Sequence, residues 1–292
     1  MIIQHKCKCK ITATGSALGA VITGLNVNIP IQSEIILMLK KALLKYQVLI
    51  FKEQLFNDEQ LVQFATYFGS IFIPLSNSPV LASQTGENPV IVTIANAAPE
   101  YGKKAYLSNQ EVLPHSDHQW TPYPSCGSML YALEIPEIGG NTQWINLIKA
   151  YDELDPETKK KITNLKLITY NPFFKPFGTV FASYHQTNEE PTYEPIFPHP
   201  LVRTHPDTGK KILYLNSTYE VEIEGISYIE GVRLIEKLRK HITQPHFSYT
   251  HQWSVGDLVY WDNQCTLHYR PAFDSQARRV LKRISLAGGR PF

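Results

Sequence analysis

The chain has 292 residues, 43% of them hydrophobic and 18% charged, so it can bury a sizeable core without disulfides or a structural metal. Its 28 Lys and Arg against 26 Asp and Glu leave a net charge of +2, which argues against binding nucleic acid or a membrane through overall charge. Any anion site must therefore be local. The 16 Tyr and 13 Phe favour strands.

Four cysteines, at positions 7, 9, 126 and 265, lack the spacing of a disulfide framework or a zinc ribbon. No segment approaches the roughly 18 apolar residues of a membrane span, and the N-terminus has no signal-peptide run. We therefore expect a soluble, cytoplasmic protein with a single domain over residues 1–292. Its partners should be small molecules, not nucleic acid or a membrane, and a homo-oligomer stays open.

Two helices are predicted in the N-terminal part. Ser33 is the expected N-cap of the first. The second begins at Asn57, with Gln60 completing a capping box, and ends at Gly69. Each has a single apolar stripe, so both should cover a sheet from outside. The expected strands of this part are 11–14, 20–25, 48–51 and 90–94.

The C-terminal half predicts mainly strands. Asp155 and Ser227 are the expected N-caps of two further helices. The expected strands are 127–134, 142–145, 201–204, 212–215, 246–253, 257–261, 265–270 and 279–286. Segments 74–89, 97–110 and 171–200 are predicted to be long covering loops. The pattern favours a β-rich α+β protein with an antiparallel double-sheet jelly-roll core and flanking helices.

Two His-x-Asp patterns could contribute to a metal site. His205-Pro206-Asp207 has the composition of a hairpin turn. His115 and Asp117, if they share a strand, point to the same face and can converge on one ion. A third ligand from a distant strand would complete the two-His, one-carboxylate set of non-haem Fe(II) oxygenases. Taken alone, the pair fits a surface ion pair equally well.

Further motifs follow His115 and Asp117 along the chain, in a fixed order. They are Gly139-Gly140-Asn141-Thr142, Trp261-Asp262-Asn263 ahead of His268, and finally Arg279 and Arg283. In this order and spacing the motifs resemble the signature of the taurine dioxygenase-like (TauD/TfdA) family of Fe(II)- and 2-oxoglutarate-dependent dioxygenases. The similarity covers nearly the whole chain.

The resemblance implies an enzyme that uses Fe(II), 2-oxoglutarate and O2. It implies that His115, Asp117 and His268 hold the iron, and that Arg279 with Thr142 binds the far carboxylate of 2-oxoglutarate. The cosubstrate would be converted to succinate and CO2 while a substrate C–H bond is oxidised. The ligand set does not separate hydroxylation from desaturation or ring closure.

The expected substrate is small and anionic or zwitterionic. Arg283 matches the family arginine that meets the substrate anion, and Tyr219 matches an aromatic of the substrate pocket. Taurine enzymes carry a histidine where this chain has Ile71-Phe72-Ile73-Pro74, and an asparagine where it has Glu111. A carboxylate buried at 111 would be costly unless a cationic amine joins it, so an amino acid derivative is expected, with taurine or another alkylsulfonate as the alternative.

Two interpretations from other classes remain. One is a non-catalytic jelly-roll protein that binds an anion through its basic C-terminal strand. The other is a nucleic-acid demethylase, which needs a basic groove with exposed aromatics for a flipped base. The near-neutral charge argues against the second.

Overall fold

The computed structural model describes residues 9–27, 29–73, 90–96, 106–107, 109–169, 197–216 and 220–292. The three predicted covering loops fall largely outside these residues. Within the described ranges, no helix has the length and apolar character needed to span a bilayer.

The described elements are mostly short strands. The helices are α1 Ser33–Tyr46, α2 Asp58–Thr66, α3 Leu147–Asp152, α4 Pro156–Ile162 and α5 Tyr228–Ile242, with a 3-10 helix over Pro245–Phe247. The strands are β1 Lys10–Ala13, β2 Ala20–Thr23, β3 Val48–Phe51, β4 Val92–Ala95, β5 Tyr106–Leu107, β6 Val112–His115, β7 Gly127–Glu134, β8 Thr142–Asn146, β9 Lys166–Thr169, β10 Phe197–Pro200, β11 Val202–Thr204, β12 Lys211–Leu213, β13 Glu220–Glu224, β14 Ser248–His251, β15 Leu258–Asp262, β16 Thr266–Arg270 and β17 Val280–Leu286.

Two sheets form the core. An eight-stranded sheet has the order β1-β2-β3-β15-β7-β17-β4-β5, and a four-stranded sheet has the order β14-β8-β16-β6. Neighbouring strands are antiparallel except in the pairs β2–β3 and β4–β5. Trp144 of the small sheet packs on Trp261 of the large one, with ring centroids 5.7 Å apart. This arrangement confirms the predicted jelly-roll core.

The large sheet is apolar on both faces because successive strand residues point to opposite sides. On β3, Val48 and Ile50 pack into the cluster between the sheets, whereas Leu49 and Phe51 pack into a cluster shared with α1 and α2. The two helices therefore cover the sheet from outside, as predicted. The unbroken apolar run of β3 follows from this double burial.

Three parts of the fold differ from the sequence prediction. The helix α2 ends at Thr66, so the prediction that it ends at Gly69 was wrong: the Phe68 N–H donates to the Ala65 carbonyl at 3.0 Å, which tightens the last turn. Ser33 is already helical, and the N-cap is Gln32, whose side chain makes no capping hydrogen bond. The prediction of Ser33 as N-cap was therefore wrong. A three-stranded sheet of order β10-β9-β13 was not predicted, because its strands are short and Phe197–Pro200 contains two prolines, which usually argue against a strand.

The two helix starts provide a matched test of capping. Asn57 accepts a hydrogen bond from the Gln60 N–H at 2.8 Å and donates its own N–H to the Gln60 side chain at 2.9 Å. Asn57→Ala should lower the free energy of unfolding by about 1 kcal/mol, measured by urea denaturation. Ser33→Ala removes no capping bond and should have little effect. Equal losses in both variants would contradict this account of the helix starts.

Candidate active site

Three side chains from two distant parts of the chain converge between the two sheets. His115, the last residue of β6, lies directly opposite His268 of β16 in the antiparallel pairing, and their ring centroids are 4.1 Å apart. Asp117 Oδ1 lies 3.7 Å from His115 Nε2 and 3.9 Å from His268 Nε2. The three possible ligand atoms lie within 4.8 Å of one another.

Asp117 reaches this site from a turn, not from a strand. β6 ends at His115, so the prediction that both residues share a strand face was wrong. The turn is held by Asn263, which accepts the Asp117 N–H at 3.0 Å and donates its side-chain amide to the Asp117 carbonyl at 2.9 Å. The convergence that the sequence predicted is thus produced by tertiary hydrogen bonds.

The protonation states of the triad suit a divalent cation. His115 Nδ1 lies 2.9 Å from the Leu113 carbonyl, which can only accept, so Nδ1 carries the hydrogen and Nε2 carries the lone pair. Burial lowers the pKa of His115 and of His268, so both rings are neutral near pH 7. Burial is the largest single effect and would raise the pKa of Asp117, but the Arg283 guanidinium, together with the neighbouring histidines, lowers it well below its usual range and holds this carboxyl ionised.

The two oxygens of Asp117 have different surroundings. Oδ2 accepts a hydrogen bond from the Ser128 hydroxyl at 3.1 Å. Oδ1 faces both histidines and receives Arg283 Nη1 at 3.0 Å. Two neutral imidazoles and one carboxylate oxygen facing a common point form a donor set that fits Fe(II).

A buried cation lies in a second part of the site. Arg279 is 4% exposed; its Nε–H donates to the Gly140 carbonyl at 2.8 Å and its Nη2 to the Thr142 hydroxyl at 3.1 Å. Within the described ranges it forms no ion pair. Burial, with Arg270 nearby, lowers the pKa of Arg279 to about 9, so it remains charged at neutral pH. A buried charge of this kind calls for an anion.

The Thr142 hydroxyl could donate a hydrogen bond to the same anion. It accepts from Arg279 and also from the indole N–H of Trp253 at 3.0 Å. Both lone pairs are thereby used, and its single hydrogen is left to donate to a ligand. Gly140 is required beside it, because its φ is +66° and a Cβ there would lie 3.1 Å from Arg279 Cδ.

Comparison with known proteins identifies the family. A family profile, Taurine catabolism dioxygenase TauD, TfdA family, matches residues 10–285. The chain is also 34% identical over 256 residues to an alpha-ketoglutarate-dependent 2,4-dichlorophenoxyacetate dioxygenase of Burkholderia sp. strain RASC, covering 83% of this chain and 82% of that protein. The chain belongs to the TauD/TfdA family.

Solved structures agree with this assignment. A taurine dioxygenase from Burkholderia xenovorans superposes with a TM-score of 0.78 at 26% identity, covering 97% of this chain and 92% of that one. AAD-2 in complex with Mn(II) and N-oxalylglycine gives a TM-score of 0.76 at 30% identity, with coverages of 97% and 98%. This TauD/TfdA-family protein is an oxidoreductase that uses Fe(II), 2-oxoglutarate and O2. The non-catalytic alternative is not retained.

The residues predicted to contact substrate lie in different surroundings. Arg283 forms an ion pair with Asp117, so in this TauD/TfdA-family enzyme it lies beside the predicted iron ligand. Glu111 is exposed, so the premise that a buried carboxylate there requires a cationic amine was wrong. Tyr219 lies outside the described residues.

Several residues that organise the site were not predicted. Asn263 was noted only as part of a motif, and Trp253, Ser128 and Asn216 were not singled out. Asn216 accepts the Ser116 N–H at 3.0 Å, which ties a second point of the Asp117 turn. One sequence signal could have indicated such a residue: Ser128 is a polar residue in the largely apolar strand Gly127–Glu134.

A second cluster also has the residue types of a metal site. The possible ligand atoms of His205, Asp262 and Cys265 lie within 4.8 Å of one another. The Asp207 N–H donates to His205 Nδ1 at 3.1 Å, so His205 Nε2 carries the hydrogen and donates to Asp262 Oδ2 at 2.8 Å. Burial raises the pKa of the Cys265 thiol well above its usual value. These contacts occupy the donor atoms and anchor the β11–β12 turn, which confirms the predicted hairpin.

Proposed function

We propose that His115, Asp117 and His268 hold Fe(II), and that Arg279 with Thr142 binds the far carboxylate of 2-oxoglutarate. The observation that carries this assignment is the pairing of a neutral two-histidine, one-carboxylate cluster with a buried arginine that has no acidic partner in the described part of the chain. The whole of residues 1–292 would form one catalytic domain that oxidises a C–H bond of a small organic anion.

Each side chain has a defined task in this proposal. Bound Fe(II) supplies the centre at which O2 is activated while 2-oxoglutarate is converted to succinate and CO2. His115 and His268 offer neutral Nε2 atoms, and Asp117 offers Oδ1. Arg279 has five N–H groups, of which two are engaged by Gly140 and Thr142, so three remain for a carboxylate, enough for a two-pronged contact.

The substrate we propose is a small carboxylate, or a comparable sulfur oxyanion, with an apolar body. Arg283 supplies the cation near the iron ligands. Phe72 stacks on His118 with ring centroids 4.2 Å apart and offers an aromatic surface at a position where taurine enzymes have a histidine. A relative acts on 2,4-dichlorophenoxyacetate. An amino acid derivative stays a prediction as the substrate. The argument from a buried carboxylate no longer supports it, because Glu111 is exposed.

Location and assembly also stay predictions. Cys126 and Cys265 are free thiols, which supports a reducing, cytoplasmic environment. A homo-oligomer and the absence of nucleic-acid and membrane partners likewise stay predictions.

The proposed iron ligands can be tested without turnover. Fe(II) and 2-oxoglutarate added under anaerobic conditions should give the weak visible absorption band of a keto acid chelated to iron. Asp117→Ala and His268→Ala should abolish the band, because each removes a ligand. His246→Ala, which changes an exposed histidine paired with Glu153, should retain it. A full-strength band in either ligand variant would remove that residue from the site.

Neighbouring arginines allow a matched test of the cosubstrate contact. Arg279→Lys should raise the apparent KM for 2-oxoglutarate about tenfold or more, because lysine cannot form a two-pronged contact with a carboxylate. Arg278→Lys should leave it unchanged, since Arg278 is half-exposed and pairs with Glu134 at 2.6 Å. Iron affinity should be preserved in both variants. A raised constant in the Arg278 variant alone would reassign the contact.

Substrate charge can be tested by a ratio that cancels effects on iron. Wild-type enzyme should use 2,4-dichlorophenoxyacetate with a kcat/KM about tenfold or more above that for its neutral amide, because the amide forfeits a charge-assisted hydrogen bond. In Arg283→Met the acid-to-amide ratio should collapse towards one. In Lys282→Met, where the lost partner is Asp58 on the outer side, the ratio should persist.

The same assay should include taurine and small amino acids. Equal use of acid and amide by the wild type, or an unchanged ratio in Arg283→Met, would contradict the proposed substrate contact. Taurine as the best substrate would contradict the preference for an apolar body.

A further inference from the structure

Two buried serines lie behind the carboxylate of Asp117. Ser128 of β7 and Ser285 of β17 are directly opposite in the antiparallel pairing. Both are buried, at 0% and 8% exposure, and their hydroxyl oxygens are 3.0 Å apart. Leu130, two residues along β7 and therefore on the same face as Ser128, belongs to the apolar cluster between the sheets. Two hydroxyls at such a place are costly unless they are hydrogen-bonded.

The direction of the hydrogen bonds follows from counting hydrogens. The Asp117 carboxylate is paired with the Arg283 guanidinium and its oxygens only accept, so the Ser128 hydroxyl must donate its hydrogen to Oδ2 at 3.1 Å. Ser128 then has no hydrogen left for Ser285. The 3.0 Å contact between the two serines must therefore use the Ser285 hydrogen. The result is a chain in which Ser285 donates to Ser128 and Ser128 donates to Asp117, and each bond polarises the next.

This chain acts on only one oxygen of the carboxylate. The terminal torsion of an aspartate is broad and roughly two-fold, so a carboxylate held only through Arg283 on Oδ1 could turn either or both oxygens towards the two histidines. Ser128 binds Oδ2 on the opposite side and leaves Oδ1 as the oxygen that faces His115 and His268.

We propose that Ser128, polarised by Ser285, is a positioning residue that makes Asp117 present a single oxygen to the iron and so keeps a ligand position free for the cosubstrate. The inference rests on the proposed role of Asp117 as an iron ligand. It differs from a purely structural serine pair, which would affect folding stability but not the affinity or geometry of a bound ion.

The test measures metal binding and not turnover. Mn(II) affinity is followed by titration with electron paramagnetic resonance, and the ligand field by the visible absorption of the Co(II)-substituted protein. Ser128→Ala should weaken Mn(II) binding by about ten- to a hundred-fold, the usual effect of removing a partner of a metal ligand, and should change the Co(II) spectrum. Ser285→Ala should shift both in the same direction but less, and Ser128→Thr, which keeps a hydroxyl, should restore both.

Two controls separate the possible failures. Thr93→Val removes another buried hydroxyl from the same sheet, on the strand paired with β17, and should leave both readouts unchanged. Asp117→Ala should abolish tight binding. Unchanged affinity and spectrum in the folded Ser128→Ala and Ser285→Ala proteins, together with weak binding in Asp117→Ala, would overturn the serine chain alone. Tight binding in Asp117→Ala would overturn the proposed ligand set as well.

Discussion

The ionised carboxylate of Asp117, buried between the two sheets, is the constraint on which the site depends. A charge in such a position is strongly unfavourable unless it is paired and hydrogen-bonded. Arg283 pairs with one oxygen and Ser128 donates to the other. The surrounding imidazoles are kept neutral by burial, so they cannot supply the balancing charge and remain available as ligands. Arg283 and Ser128 therefore balance the carboxylate, while Asp117 Oδ1 and the two imidazoles still face one common point.

The opposite problem, a buried cation, defines the other end of the site. Arg279 is surrounded by a backbone carbonyl, a hydroxyl and a second arginine, Arg270, whose charge helps to lower its pKa. The carbonyl and the hydroxyl hydrogen-bond the guanidinium, but neither neutralises its charge. An enzyme of this family uses 2-oxoglutarate, which is a dianion. A carboxylate of that cosubstrate would neutralise the buried Arg279 charge.

The sheets provide the rigidity that this charge arrangement needs. His115 and His268 are opposite residues of one antiparallel pair, and Ser128 and Ser285 of another. Asp117 lies in a turn outside the strands, and the Asn263 side chain holds that turn through hydrogen bonds to the Asp117 backbone. Three tryptophans, Trp144, Trp253 and Trp261, pack between the sheets. The two histidines are thus held by strand register and packing, and the Asp117 turn is held by the side-chain amides of Asn263 and Asn216.

The sequence by itself determined the class of fold and predicted which residues carry the chemistry. The periodicities of 48–51 and 127–134 predicted strands that the structure contains, because alternation and apolar runs are local consequences of burial. The order and spacing of the motifs predicted the reaction class through resemblance. In the fold, His115, Asp117 and His268 converge, and Arg279 contacts Thr142.

Only the tertiary structure decided how those residues are held. Ser128 and Ser285 are 157 positions apart, and their pairing depends on a strand register that short-range patterns do not encode. Local reasoning placed Asp117 on a strand and Glu111 in a buried pocket, whereas the fold puts one in a turn held by Asn263 and the other in solvent. Residue types and their spacing determine the chemistry that is available. Burial, register and long-range hydrogen bonds arise only when distant segments pack, and they decide which atom of each residue faces the site.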